Sequence, residues 1–296
     1  MDFATFLIQC LNSLQYGLLL FLVASGLTLI FGIMGVINLA HGSFYMIGAY
    51  MAYALAPIVA ATTGGGFFTT MAVGVVLSVI LGYLLEWAFF SFLYEREHLQ
   101  QVLMTYGLIL VFEEFRSLLV GDDVHGVQAP ALLAGTIPLG EVMTYPVYRL
   151  FISGVCLLLA LGMWFVFART RLGMMIRAGS TGIAQREMVQ SLGVDIKFLY
   201  RVVFAAGVAI AVLAGMVASP VSSVYPGMGQ SVLIICFVVV VIGGIGSIKG
   251  ALVAALLIGV IDTFGKVLLP QAAGVLVYVL MALILLWKPE GLFRAG

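Results

Sequence analysis

Long apolar runs, separated by short intervals rich in Gly, Pro or charged residues, occupy almost the whole chain. A straight membrane helix needs ~20 mainly apolar residues, and several of these runs are shorter. We therefore expect some Gly-rich turns to lie within the membrane depth, buried in protein or lining a cavity. The pattern predicts eight or nine crossings, from runs at residues 6–31, 43–57, 67–93, 102–120, 147–168, 202–219, 231–242, 251–268 and 272–287.

The composition of the chain requires a lipid environment. Apolar residues make up 63% of it and charged residues 9%, and the mean hydropathy is +1.20. A soluble fold would have no polar surface to present to water, so we predict an all-α polytopic membrane protein. The formal net charge of zero gives no indication of nucleic-acid binding. The three cysteines lie in apolar runs without metal-ligand spacing, which predicts buried thiols and no metal site.

The only long basic interval, residues 169–201, indicates the orientation of the chain. It holds six of the thirteen Lys and Arg residues and lies between two apolar runs. Because cationic loops stay in the cytoplasm, we assign it to the inner side, together with Lys288 and the C-terminus. No Lys or Arg precedes Arg96, so this rule leaves the side of the N-terminus open.

A short amphipathic helix is predicted within the basic interval. Ser180 or Thr181 can cap its start, and Gly193 can end it in a left-handed turn. Two hypotheses follow: a solvated helix at the membrane surface, or a docking helix for another subunit. Its apolar face consists of Ala184, Met188, Val189 and Leu192, and its polar residues include Gln185, Arg186, Glu187 and Gln190.

Gly residues interrupt the apolar pattern at residues 32–50. The sequence leaves open whether residues 32–48 form a full hairpin or a broken, partly re-entrant helix. In a broken helix, free backbone groups and the side chains of Asn38, His41 and Ser43 could form a permeation site, as discontinuous helices do in carriers. The alternative is a cytoplasmic turn whose Gly residues allow close helix packing.

Glu113, Glu114 and Arg116 place charge inside another apolar run. Glu113 precedes Arg116 by three residues, so the two share a helix face and can neutralise one another. A charge within the membrane is a functional hypothesis by default, which makes Glu113 and Glu114 candidates for a translocation path. A paired structural charge near the outer interface, reaching toward water, is the favoured alternative.

Glycines are also concentrated in GGIGSIKG at residues 243–250, which we interpret as an inner turn. Small residues allow membrane helices to approach closely. We therefore predict packing contacts, not ligands, at Gly243, Gly244, Gly246 and Gly250.

An enzymatic function finds no support in the sequence. His41 and Ser43 are two residues apart and point in different directions on a helix, so they do not form a base and a nucleophile. Asp262 is the only Asp in the C-terminal spans, whereas an intramembrane aspartyl dyad needs two. No GxxxxGK[ST] motif occurs, so ATP-driven work would take its energy from a partner.

Three motifs resemble the LivH-type permease of bacterial branched-chain amino acid ABC importers. They are GLTLIFGIMGVINLAHGSFYMIGAY, RAGSTGIAQREMVQSLGV and FVVVVIGGIGSIKGA, of which the last is highly specific. The resemblance covers nearly the whole chain. It implies one permease domain at residues 1–296, with N-terminal helices at 6–168, a cytoplasmic loop at 169–201 and C-terminal helices at 202–288.

The resemblance also implies an assembly in the bacterial inner membrane. The expected partners are membrane lipid, a second LivM-like permease, two cytoplasmic ATPase subunits and a periplasmic substrate-binding protein. ATP and Mg would bind the ATPase subunits, with no cofactor on this chain and no nucleic acid. By family likeness, residues 180–193 match the coupling helix that sits in a groove of the ATPase.

The resemblance leaves the substrate open. Related permeases serve leucine-type amino acids, urea, amides and aromatic acids, and selection rests largely on the separate binding protein. The expected substrates are branched-chain or related hydrophobic amino acids. The alternative from a different class is a self-sufficient channel or secondary transporter, for whose coupling ion the sequence offers only the cluster of Glu113, Glu114 and Arg116.

Overall fold

The computed structural model describes residues 3–94, 96–138, 144–171, 173–175 and 195–293, and nine α-helices lie within them. Six are long and apolar enough to cross a bilayer, two are shorter and apolar, and α4 carries three charges in its outer half. The prediction of an all-α polytopic membrane protein is confirmed. The helices are α1 (Phe3–Met34), α2 (His41–Thr63), α3 (Phe67–Ala88), α4 (His98–Val120), α5 (Val147–Arg169), α6 (Ile196–Ser222), α7 (Met228–Gly243), α8 (Ile248–Leu268) and α9 (Ala273–Trp287).

Helices α1 and α6 form the centre of the protein. α1 packs along α8 and α6, and α6 also contacts α2 and α3. Small residues allow these close approaches: a Cβ at Gly26 of α1 would lie 2.8 Å from the carbonyl oxygen of Gly207 in α6. The apolar residues of α3, α4, α5 and α9 are largely exposed and form the outer surface of the chain.

Contacts between α1 and α5 give the direction of the first crossing. The Arg149 guanidinium at the start of α5 donates to the Asn12 side chain at 2.7 Å, and Ser25 lies 3.6 Å from the Met163 sulfur. The two helices therefore run parallel. α5 ends at Arg169, at the start of the basic interval that the sequence predicts to be cytoplasmic, so we expect α1 to begin outside and end inside. The nine described helices then alternate, with the chain after α9 on the inner side.

Two helices extend past prolines at which the sequence predicted an end. α2 continues through Pro57 to Thr63, and α6 continues through Pro220 to Ser222. Membrane helices tolerate Pro because neighbouring groups satisfy the backbone atoms that it frees. The connection between α6 and α7, at residues 223–227, is therefore shorter than the interval between the predicted runs at 202–219 and 231–242.

The outer loop after α4 is partly ordered. It contains a 3-10 turn (Ala131–Leu133) and an antiparallel pair of short strands, β1 (Thr136–Pro138) and β2 (Thr144–Pro146), which the sequence did not predict. The backbone of His125 exchanges two 2.8 Å hydrogen bonds with that of Val224, which is fully buried. This pair of hydrogen bonds ties the outer loop to the connection between α6 and α7 at the buried Val224.

Candidate functional site

The chain breaks between α1 and α2, and the break is buried inside the protein. α1 ends at Met34, Gly35 adopts a φ of 70°, and residues 35–40 are not helical. Asn38 is 0% exposed, and neither its amide nitrogen nor its amide oxygen has a hydrogen-bond partner among the described residues. Buried polar groups are nearly always paired, so this side chain has unused capacity to bind water or a polar ligand.

His41 begins α2 deep within the protein. Its Nε2 lies 3.0 Å from the carbonyl oxygen of Val23, while Nδ1 has no partner among the described residues. Val23 is eleven residues from the end of α1, about 16 Å along the helix axis. The chain therefore turns back after α1, and α2 begins beside the middle of α1. This geometry favours the broken, partly re-entrant helix over a simple cytoplasmic hairpin.

The start of α2 is fixed by backbone contacts with α7. The carbonyl oxygen of Gly229 occupies the space that a Cβ at Gly42 would need. Ser43, one residue later, is 3% exposed, and its backbone amide donates to the Ala40 carbonyl at 3.0 Å. The structure thus brings the three predicted residues of the break, Asn38, His41 and Ser43, into one buried segment.

Gln101 connects this break to the inner end of α4. Its Oε1 accepts a hydrogen bond from the Ile37 amide at 3.3 Å, and its Nε2 donates to the carbonyls of Leu93 and Arg96, each at 3.1 Å. The side chain is 3% exposed. Sequence reasoning missed Gln101; the signal available was a pair of amides, Gln100 and Gln101, at the start of an apolar run.

A second buried polar contact lies at the inner ends of α3 and α6. The Glu86 side chain is 1% exposed, and its Oε2 lies 3.1 Å from Nε of Arg201. The hydroxyl of Tyr94 donates to the other carboxylate oxygen at 2.5 Å. The Arg201 guanidinium also lies over the Tyr83 ring, 5.7 Å from its centroid, which is within the ~6 Å limit of a cation–π contact. The sequence analysis counted Arg201 only as part of the basic interval and missed Glu86.

The outer cluster of charges is organised around Arg116. Its guanidinium contacts Glu113 at 3.1 Å, Asp122 at 2.9 Å and the Gly121 carbonyl at 2.7 Å. The hydrogen bond from Arg116 holds the pKa of the Asp122 carboxyl below its usual value. The predicted pairing of Glu113 with Arg116 is therefore present, whereas Glu114 lies on the exposed face of α4.

The glycine turn at residues 243–250 brings backbone segments together. A Cβ at Gly243 would lie 2.5 Å from the Gly250 carbonyl carbon. At Gly244, φ is 96°, and the Phe293 carbonyl oxygen occupies the place of a Cβ. Gly246 has a φ of 80° and lies against Gly32 of α1. The turn therefore holds backbone segments of α1, α7, α8 and the C-terminal chain in close contact, and the absence of a ligand there stays a prediction.

The predicted coupling helix lies outside the described residues. Ser180, Ala184, Gln185, Arg186, Glu187, Met188, Val189, Leu192 and Gly193 all fall within residues 176–194. Their proposed contact with an ATPase therefore stays a prediction. Immediately after this interval, Asp195 caps α6 by accepting a 3.0 Å hydrogen bond from the Phe198 amide.

The chain is similar in sequence to known proteins over nearly its whole length. Residues 9–286 match the family described as "Branched-chain amino acid transport system / permease component". The chain is 29% identical to the high-affinity branched-chain amino acid transport system permease protein BraD of Pseudomonas aeruginosa, over 97% of this chain and 95% of that protein. It is 27% identical to the corresponding protein LivH of Escherichia coli, over 98% and 96% of the two chains.

A more distant relative extends the comparison beyond bacteria. The chain is 26% identical to a probable branched-chain amino acid transport permease protein LivH of Methanocaldococcus jannaschii, over 95% of this chain and 90% of that protein. No solved structure matches the chain with significance. The family match spans nearly the whole sequence and includes the α1–α2 break and the glycine turn. The chain is therefore a multi-pass protein of the inner membrane and belongs to the family of permease components of branched-chain amino acid transport systems.

Proposed function

We propose that this chain is the permease subunit of an ATP-driven importer for branched-chain or related hydrophobic amino acids. It forms half of the translocation path beside a second, LivM-like permease. Two cytoplasmic ATPase subunits bind ATP and Mg, and a periplasmic binding protein delivers the substrate. The observation that carries the proposal is the family match over residues 9–286. It is supported by relatives that are named branched-chain amino acid permeases and are matched over at least 95% of their length.

The buried break between α1 and α2 supports a translocation path at this position. Asn38 and His41 supply polar atoms without protein partners among the described residues, deep within an apolar helix bundle. Discontinuous membrane helices bind polar substrates at such points, because their backbone ends and side chains replace water. In the described conformation the segment is closed, so substrate reaches it only when the helices around it separate.

The outer charges have a structural role in this proposal. Arg116 is held by two carboxylates and a backbone carbonyl, so its positive charge neutralises carboxylates that could otherwise bind a coupling cation. Glu113 is the partner of Arg116. The energy for import then comes from ATP hydrolysis on partner subunits, which move residues 180–193 and switch the two permeases between outward- and inward-open states.

Transport by purified components tests this proposal. We expect proteoliposomes that contain the chain with its permease, ATPase and binding-protein partners to take up leucine only when ATP is available to the ATPase subunits. The chain alone is expected to give no uptake under a proton or sodium gradient. Gradient-driven uptake by the chain alone would instead favour a secondary transporter, and uptake of urea or amides but not leucine would favour another substrate class.

A further inference from the structure

We propose that a buried network from Arg201 through Glu86, Tyr94 and Gln101 to the backbone of Ile37 transmits movement of the cytoplasmic loop to the α1–α2 break. This inference rests on the proposed ATP-driven function. It assigns Glu86 and Gln101 as positioning residues that act on the path without contacting the substrate.

The network begins next to the loop. α6 starts at Ile196, after its capping residue Asp195, and Arg201 lies in its second turn. A displacement of the loop that tilts the start of α6 therefore moves Arg201. The Arg201 guanidinium is fixed to Glu86 at 3.1 Å, and Glu86 is almost completely buried, at 1% exposure. Separating this pair would leave a buried carboxylate uncompensated, so α3 is drawn along with α6.

The middle of the network crosses the turn between α3 and α4. Tyr94 follows the 3-10 turn (Phe90–Phe92), and its hydroxyl donates to Glu86 at 2.5 Å. The carbonyl of Leu93, the residue before it, accepts a hydrogen bond from Gln101 at 3.1 Å. The same Gln101 accepts from the Ile37 amide at 3.3 Å. Ile37 immediately precedes Asn38, so the turn and the break are joined by one side chain.

A series of aromatic contacts runs beside the hydrogen-bonded network. The Phe90 and Phe204 ring centroids are 4.3 Å apart, and Phe204 lies 6.1 Å from Phe44 in α2. Phe44 in turn meets the His41 ring edge to face at 6.0 Å. Phe90, Phe204 and Phe44 are all at most 1% exposed. Close-packed side chains transmit displacement because interiors have low compressibility. Both series therefore end at the segment that contains Asn38 and His41.

The structure offers variants that break single contacts with little change in shape. Glu86→Gln removes the charge but keeps an acceptor for Tyr94, and Gln101→Met removes three hydrogen bonds with an apolar side chain of similar length. Asp262→Asn is the matched control, since it breaks a 2.6 Å ion pair with Lys266 that lies on α8 away from the network. A Leu39→Cys label reports on the accessibility of the break, because Leu39 is half-buried there.

The test compares ATP hydrolysis with leucine uptake in the reconstituted complex. We expect Glu86→Gln and Gln101→Met to hydrolyse ATP at near wild-type rates while uptake per ATP falls about 5-fold or more. Uptake per ATP in the double variant should be no lower than in the more impaired single variant, because the two substitutions interrupt the same linkage. Labelling of Leu39→Cys should change with nucleotide in the wild-type background and lose that change in both variants. Asp262→Asn should leave each measurement unchanged.

The outcomes separate this inference from the proposed function. Absence of ATP-dependent uptake by the wild-type complex would refute the proposed function, and the linkage with it. Wild-type uptake together with multiplicative losses in the double variant would overturn the linkage alone. The linkage would also be overturned if ATP hydrolysis and uptake fell in equal proportion in the single variants. Nucleotide-dependent labelling of Leu39→Cys that persists in Glu86→Gln would overturn it as well.

Discussion

The imidazole of His41, at the first residue of α2, lies 3.0 Å from the carbonyl oxygen of Val23 in the middle of α1. This contact holds the start of α2 at depth in the protein, where both residues are shielded from solvent at no more than 1% exposure. We expect His41→Asn to lower the free energy of unfolding by about 1 kcal/mol, because its shorter side chain cannot donate to Val23.

His41→Gln is the matched variant for this contact. Its amide nitrogen can occupy the position of Nε2 and keep the hydrogen bond, so thermal unfolding of the purified chain in detergent should stay closer to wild type than for His41→Asn. Equal loss of stability in the two variants would show that the bond to Val23 does not hold the start of α2.

Membrane topology gives a prediction that does not depend on function. With Cys10 replaced by Ser, Leu132→Cys should react with an impermeant thiol reagent from outside. Lys288→Cys should react only after the membrane is permeabilised, so that the reagent reaches the inner face. Both positions are exposed, and five of the described helices, α5 to α9, separate them. Labelling of both from the same side would contradict the described alternation of helices.

The glycine turn should tolerate no side chain at Gly244. Its φ of 96° disfavours any residue with a Cβ, and that Cβ would collide with the Phe293 carbonyl oxygen. We predict that Gly244→Ala lowers the free energy of unfolding by roughly 1–3 kcal/mol. Gly154→Ala is the control, since no heavy atom lies within 4 Å of the added Cβ in α5. A neutral Gly244→Ala would show that the turn adjusts freely.

The sequence was sufficient to predict the class, because burial in lipid imposes long apolar runs on each crossing. Its eight or nine predicted crossings compare with nine α-helices among the described residues. It misplaced the ends of α2 and α6, since the effect of Pro57 and Pro220 depends on neighbouring helices. It also missed the pairing of Glu86 with Arg201, which are 115 residues apart. Such contacts depend on how helices pack, and no local pattern encodes them.

The candidate site, too, was predictable from the sequence only in part. Gly residues around Asn38 and His41 marked the break, because a helix interrupted within the membrane needs unusual backbone. Their shared burial and the role of Gln101 emerged only from the packing of α1, α2 and α4. The coupling helix at residues 180–193 rests on its amphipathic pattern and on family likeness, and its contact with an ATPase stays a prediction.

Co-purification of ATPase subunits with coupling-helix variants is the most direct test of the central claim, that separate ATPases drive this permease through residues 180–193. Met188→Asp places a charge on the apolar face, and Gln190→Asp places it on the polar face as a control. Burying an unpaired charge at the contact should reduce ATPase recovery with Met188→Asp at least about tenfold, with membrane insertion unchanged. Gln190→Asp should keep the ATPases bound. Full recovery of ATPase and normal leucine uptake with Met188→Asp would contradict the account.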